Sequence, residues 1–260
     1  MSYHRARFYY QGREYVSFSF YDGYVVDFPT GVGQLDASRS TLRNPDGIGV
    51  SCQLETVPER NISINGYVMG FPCEEYRRAL ERTFAPLSAG KLWAETEGHE
   101  LFFLDCVSTG SPVIEGVRNK PRFQIALTAE YPYWQRDTFQ ELSFSMEGSA
   151  VEFRREIISD VPALFVLAIT ASAGCQGAAL VVGGQELRYN GAISAGQTLS
   201  VLVDKAGRAS AMLGGQSVVG NLTGGLKKLP TGGQTMRMEA PGNGGTVTAI
   251  IKYREARAGV

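Results

Sequence analysis

With 260 residues the chain can form one large domain or two ordinary ones, and 43% apolar with 20% charged residues is the make-up of a soluble globular protein. A formal net charge of −1 excludes the basic excess by which phosphate-binding proteins are known. No window reaches the roughly eighteen apolar residues of a membrane-spanning helix, and Met1-Ser2-Tyr3-His4-Arg5 leads into alternating aromatic and polar residues that do not read as a signal peptide.

Along the chain, Tyr15–Phe20, Ile48–Leu54 and Asn61–Val68 alternate with period two and are predicted to be half-buried strands. Residues 72–86 break that rhythm. Pro72 stands where a first helical residue would, Glu74 and Glu75 follow in the first turn, and Tyr76, Leu80, Phe84 and Leu87 recur on one face. One amphipathic helix covering a sheet is the reading, ended by Pro86 and Gly90. Leu101–Val107 and Arg122–Glu130 are further strands, the second running into Tyr131-Pro132-Tyr133-Trp134. That string reads either as a plug at a domain junction or as a partner-facing anchor, since Tyr and Trp favour interfaces.

Near residue 140 the texture changes. Of the 27 aromatics 22 precede it, whereas 19 of the 31 glycines follow it, so two domains are expected, residues 1–140 and 141–260. The second part offers short strands at Ala163–Thr170, Ala178–Val182, Thr198–Val203, Thr235–Glu239 and Thr246–Tyr253. Glycine pairs separate them at 183–184, 214–215, 224–225 and 232–233. Hairpin turns between the strands of an antiparallel sandwich account for this pattern without a helix.

Catalytic chemistry finds little support. The two histidines, His4 and His99, fall in the chain start and in a turn, and no nucleophile elbow, zinc-protease or phosphate-loop string occurs. The close carboxylate sets Glu55 with Glu59, Glu74 with Glu75 and Glu95 with Glu97 read as solvated charge or as helix-start residues. Cys52, Cys73, Cys106 and Cys175 are too scattered for zinc and read as structural thiols, so no catalytic, metal or cofactor site is expected.

The order of features nevertheless has a likeness. A strand-rich start, the helix at Cys73–Phe84, the Gly90-Lys91-Leu92-Trp93 strand, the Phe123–Glu130 strand running into Tyr-Pro-Tyr-Trp, and the closing Tyr253 to Gly259-Val260 stretch resemble the distal tail proteins of long-tailed, siphovirus-like bacteriophages. The resemblance spans nearly the whole chain, as a layout with two short motifs. The Tyr-Pro start of the first departs mildly from that family's commoner Asp-Pro form. It implies a mainly β protein with an N-terminal β domain that closes into a hexameric ring and a C-terminal galectin-like β-sandwich outside it. It also implies a virion location at the distal end of the tail, between the tail tube protein and the tail-tip protein, in many phages with receptor-binding proteins attached. A reading from another class is a carbohydrate-binding module or adhesin built on the second sandwich. With no His and no Trp in residues 141–260, sugar stacking there would have to use Tyr189 or Tyr253.

Overall fold

The computed structural model describes residues 7–33, 35, 38–43, 50–69, 71–116, 120–205 and 207–260, with the backbone alone of 38–43 and 50–56. The chain divides into two compact units, Met1–Asp137 with Arg257–Val260, and Thr138–Ala256. The second unit is therefore inserted into the first, and residues 257–260 lie apart from the 141–260 segment with which sequence groups them.

The first unit contains β1 (Arg7–Gln11), β2 (Tyr15–Ser17), β3 (Tyr24–Val26), β4 (Ser38–Arg43), β5 (Val50–Thr56), β6 (Arg60–Val68), α1 (Cys73–Thr83), β7 (Ala89–Glu95), β8 (Leu101–Ser108), β9 (Val113–Glu115), β10 (Arg122–Ala129) and the start of β11 (Trp134–Met146). The pairings among the described residues are antiparallel: β2 on β1, β1 on β7, β7 on β8, β8 on β10, β11 on β8, β9 on β10, β10 on β6 and β6 on β3. Among the described residues the β4–β5 hairpin forms a two-stranded sheet of its own. Alternation places every second residue of β6 inward, Arg60, Ile62, Ile64, Gly66 and Val68, and β10 answers with Phe123, Ile125, Leu127 and Ala129. Cys106 is buried on β8, as a free thiol in a strand-like apolar run should be, whereas the side chain of Cys52 and residues 48–49 of its expected strand lie outside the described residues.

Helix α1 covers this core through Leu80, and Phe84 just beyond its end packs 4.5 Å, ring to ring, from Tyr10 and 6.2 Å from Phe18. Burying side chains of this size contributes roughly 1.5–3 kcal/mol each. Three expectations change here. Pro72 is the extended N-cap rather than the first helical residue, because the first turn closes between the Glu75 amide and the Pro72 carbonyl. Leu87 is 82% exposed instead of completing the apolar face, since the chain has left the helix and adopts φ +62° there. The strand predicted over Tyr15–Phe20 stops at Ser17, because Ser19 caps a short 3-10 turn at Phe20–Asp22.

The second unit is a two-sheet sandwich. It contains the rest of β11, then β12 (Ala150–Ile157), β13 (Phe165–Ala171), β14 (Ala178–Val182), β15 (Gln185–Tyr189), β16 (Thr198–Val203), β17 (Ala209–Leu213), β18 (Gln216–Ser217), β19 (Leu222–Gly224), β20 (Gly232–Glu239) and most of β21 (Val247–Arg257). One sheet runs β18-β17-β16-β13-β21-β11 and the other β12-β20-β14-β15-β19. Phe165, Leu167, Ile169, Val201 and Ile251 of the first meet Leu180, Val182, Leu187, Met236 and Met238 of the second in one core. Val182 pairs directly with Gln185 and Leu213 with Gln216, leaving Gly183-Gly184 and Gly214-Gly215 as two-residue loops with positive φ throughout. Only such turns match the twist of the strands they join.

Two substitutions test this backbone. Leu87→Gly relieves the left-handed strain at an exposed site and is expected to stabilise the protein by about 0.5–1 kcal/mol. Gly214→Val adds the same strain and is expected to cost at least about 1 kcal/mol. Both are read as thermal midpoints by calorimetry.

Candidate functional site

The segment Tyr131-Pro132-Tyr133-Trp134 links β10 to β11 and is held by the first unit on several sides. Trp134 has no exposed surface, and its indole N–H donates to the Val32 carbonyl at 3.1 Å. Tyr131 is buried and meets Tyr133 edge to face at 5.4 Å; burial pushes its phenol up to about 12. Pro132 is buried as well, and its carbonyl faces Arg60.

Arg60 is the centre of the arrangement. It opens β6 opposite Ala129 and is only 2% exposed, in the inward phase shared with Ile62 and Ile64. Its Nε donates to Pro132 O at 2.7 Å, its Nη1 to Gly31 O at 2.6 Å and Gly33 O at 2.8 Å, and its Nη2 to Ala258 O. Four backbone carbonyls from three remote segments thus converge on one side chain. Desolvation pulls the guanidinium down to about 10, which leaves it charged at neutral pH. Carbonyl dipoles replace water around the cation, and only the planar fork of Arg has the donors and reach to do this.

The loop between Gly31 and Gly33 is shaped to serve both donors. Thr30 and Ser63 exchange backbone hydrogen bonds that pin it to β6. Gly31 has φ +81°, and a Cβ there would lie 2.0 Å from the Asn61 carbonyl oxygen. Three successive carbonyls, of Gly31, Val32 and Gly33, are then taken by Arg60 and Trp134. Sequence reading missed Arg60, although its place in phase with the buried residues of β6 was a signal for it.

The other candidates are dispersed. His99 sits in the β7–β8 turn with Nδ1 2.7 Å from a Glu95 oxygen, while His4 lies outside the described residues. Hydrogen bonds from His99 and Tyr9 hold the Glu95 carboxyl below its ordinary range, and Glu74 is held low by Arg77 and Arg78. The side chain of Glu55 lies outside the described residues. Cys73 is half-buried and Cys175 buried; no cluster of three His, Cys, Asp or Glu side chains occurs among the described residues. Tyr189 and Tyr253 are both core residues of the second unit, so neither ring is available to stack on a sugar.

Replacing Arg60 strands the four carbonyls it serves. Arg60→Met is expected to destabilise the protein by about 3–5 kcal/mol, and Arg60→Lys to recover less than half of that. Urea unfolding of the two variants against the parent chain checks both values.

No family model and no curated protein sequence matches the chain. Solved structures do. The crystal structure of the Dit protein of phage SPP1, described as a paradigm of the hub adsorption apparatus in phages infecting Gram-positive hosts, superposes with a TM-score of 0.67 at 11% identity, over 96% of this chain and 98% of that one. A chain of the phage P2 baseplate in its activated, calcium-bound conformation gives 0.51 at 10% identity, over 98% and 99%. Mainly β, with one α-helix and antiparallel sheets among the described residues, the chain has over nearly its whole length the fold of these phage proteins.

Proposed function

We propose that the chain is a structural virion protein, the hub at the distal end of a bacteriophage tail. The supporting observation is the likeness in fold to the SPP1 hub protein over almost the full length of both chains. In this reading residues 1–140 form a homo-hexameric ring and the galectin-like sandwich within 141–260 stays peripheral. The ring joins the tail tube protein to the tail-tip protein, receptor-binding proteins attach around it, and the subunits are made in the host cytoplasm. Its role is to connect and not to catalyse.

A closed ring repeats one heterologous contact, so each copy must present two different complementary surfaces. The first unit supplies exposed apolar side chains for such contacts, Tyr15, Phe20, Tyr21, Phe28 and Phe71 among them. The Tyr131–Trp134 string enters differently: with Trp134 sealed in the core, it contributes by setting the backbone that carries its neighbours.

Sedimentation of the full chain tests the proposal. The expected species has six times the 28.2 kDa chain mass. A monomer at every concentration up to the solubility limit overturns the ring. Fragments are a poorer test, because one ending at residue 140 lacks the Ala258 carbonyl that Arg60 requires.

A further inference from the structure

The five-stranded sheet of the second unit, β12-β20-β14-β15-β19, has two very different ends. At one end β19 spans only three residues, which leaves little edge for another chain to pair with. At the other, β12 pairs with β20 over all eight of its residues, from Ala150 with Glu239 to Ile157 with Gly232, without a shift of register. Its far side has no neighbouring strand among the described residues, and its sequence contains no proline or glycine to interrupt that side.

The hydrogen-bond phase of β12 can be read from the strands beside it. The Ala240 amide donates at 2.8 Å to the carbonyl of Ser149, the residue directly opposite in this register. Directly opposite residues that bond recur at every second position of an antiparallel pair. Val151, Phe153, Arg155 and Ile157 therefore turn their main-chain groups to β20, and Ala150, Glu152, Arg154 and Glu156 turn theirs to the open edge. The two-residue loop at Gly183-Gly184 gives the same phase when it is carried across β14 and β20. One outward carbonyl, that of Arg154, accepts from the Arg155 side chain at 3.0 Å, an exposed contact that a paired strand can replace.

The side chains along this edge are self-complementary. Val151 and Phe153 pack against the core, so Glu152, Arg154 and Glu156 stand on the outer face, exposed and without an ion-pair partner among the described residues. Set antiparallel against a second copy with Phe153 opposite Phe153, β12 places Glu152 opposite Arg154 and Arg154 opposite Glu152. Both are then hydrogen-bonded pairs made of outward-pointing residues. The half-buried Phe153, whose ring lies 4.2 Å from that of Phe144, falls on the twofold axis in a non-bonded pair, where side chains come closest. Sliding the copy by two residues either way sets Glu152 on Glu152 or Arg154 on Arg154, so charge selects one register.

We propose that the open edge of β12 is an interface between copies of this chain, in which two β12 strands pair antiparallel about a twofold axis and join their sheets into one. The contact lies wholly in the second unit and does not rest on the ring, so either can fail without the other.

Sedimentation of the full chain over a range of concentrations, beside the variants Glu152→Arg and Arg154→Glu, tests it. Both positions are exposed, and thermal melts establish that each variant folds as the parent does. The parent is expected to associate, as concentration rises, beyond the species that the first unit sets, whether ring or single chain. Each single variant puts like charges opposite each other twice and should weaken that association by at least about tenfold. An equal mixture of the two variants should restore it, because the Glu152→Arg strand offers two cations to the two carboxylates of the Arg154→Glu strand. The proposal is overturned if the parent does not associate further at any concentration up to the solubility limit. It is also overturned if the single variants associate as the parent does, or if their mixture does no better than either alone.

Discussion

A guanidinium cut off from water must find acceptors inside the protein, and in the first unit that requirement governs how distant segments meet. Arg60 sits on a central strand and, among the described residues, is answered by main-chain carbonyls, from the Gly31–Gly33 loop, from Pro132 and from Ala258. No single carboxylate could substitute, because one acid side chain would satisfy the charge while leaving the segments untied. Carbonyls distribute the same duty over three pieces of backbone, each of which is then fixed in position by an interaction too costly to leave unmade. The Trp134 indole reinforces one of those pieces by taking the carbonyl between the two that Arg60 holds.

Much of the fold was written in hydrophobic period. Asn61–Val68, Leu101–Val107, Arg122–Glu130, Ala178–Val182 and Thr198–Val203 all coincide with strands to within a residue or so: the first, third and fifth alternate because one face is buried, whereas Leu101–Val107 and Ala178–Val182 are apolar runs with three successive residues buried. Where the prediction slipped, a local interaction outweighed the period. The Ser19 cap cut short the strand at Tyr15, and the left-handed turn at Leu87 removed that residue from the helix face. The long strand β11 was passed over as a boundary, although Leu142, Phe144 and Met146 alternate toward the core of the second unit. Its first half carries Arg136, Asp137 and Gln140, which masked the pattern.

The site was legible only in part. The Tyr-Pro-Tyr-Trp string stood out by composition, yet its environment depends on Gly31 and Ala258, which are 29 and 198 positions away from Arg60. Contacts of that separation leave no mark on local spacing.

The insertion of the second unit bears on the order in which the molecule can mature. The chain leaves the first unit within β11 and re-enters it within β21, so the carbonyl of Ala258 reaches Arg60 only after about 120 intervening residues have been made. Domains normally acquire their structure in the order of translation, starting from the N-terminal side. Here the unit that begins first is completed last. Because β21 runs to Arg257, the sandwich and the last acceptor of Arg60 become available together, and assembly-competent subunits arise only when synthesis has passed that point.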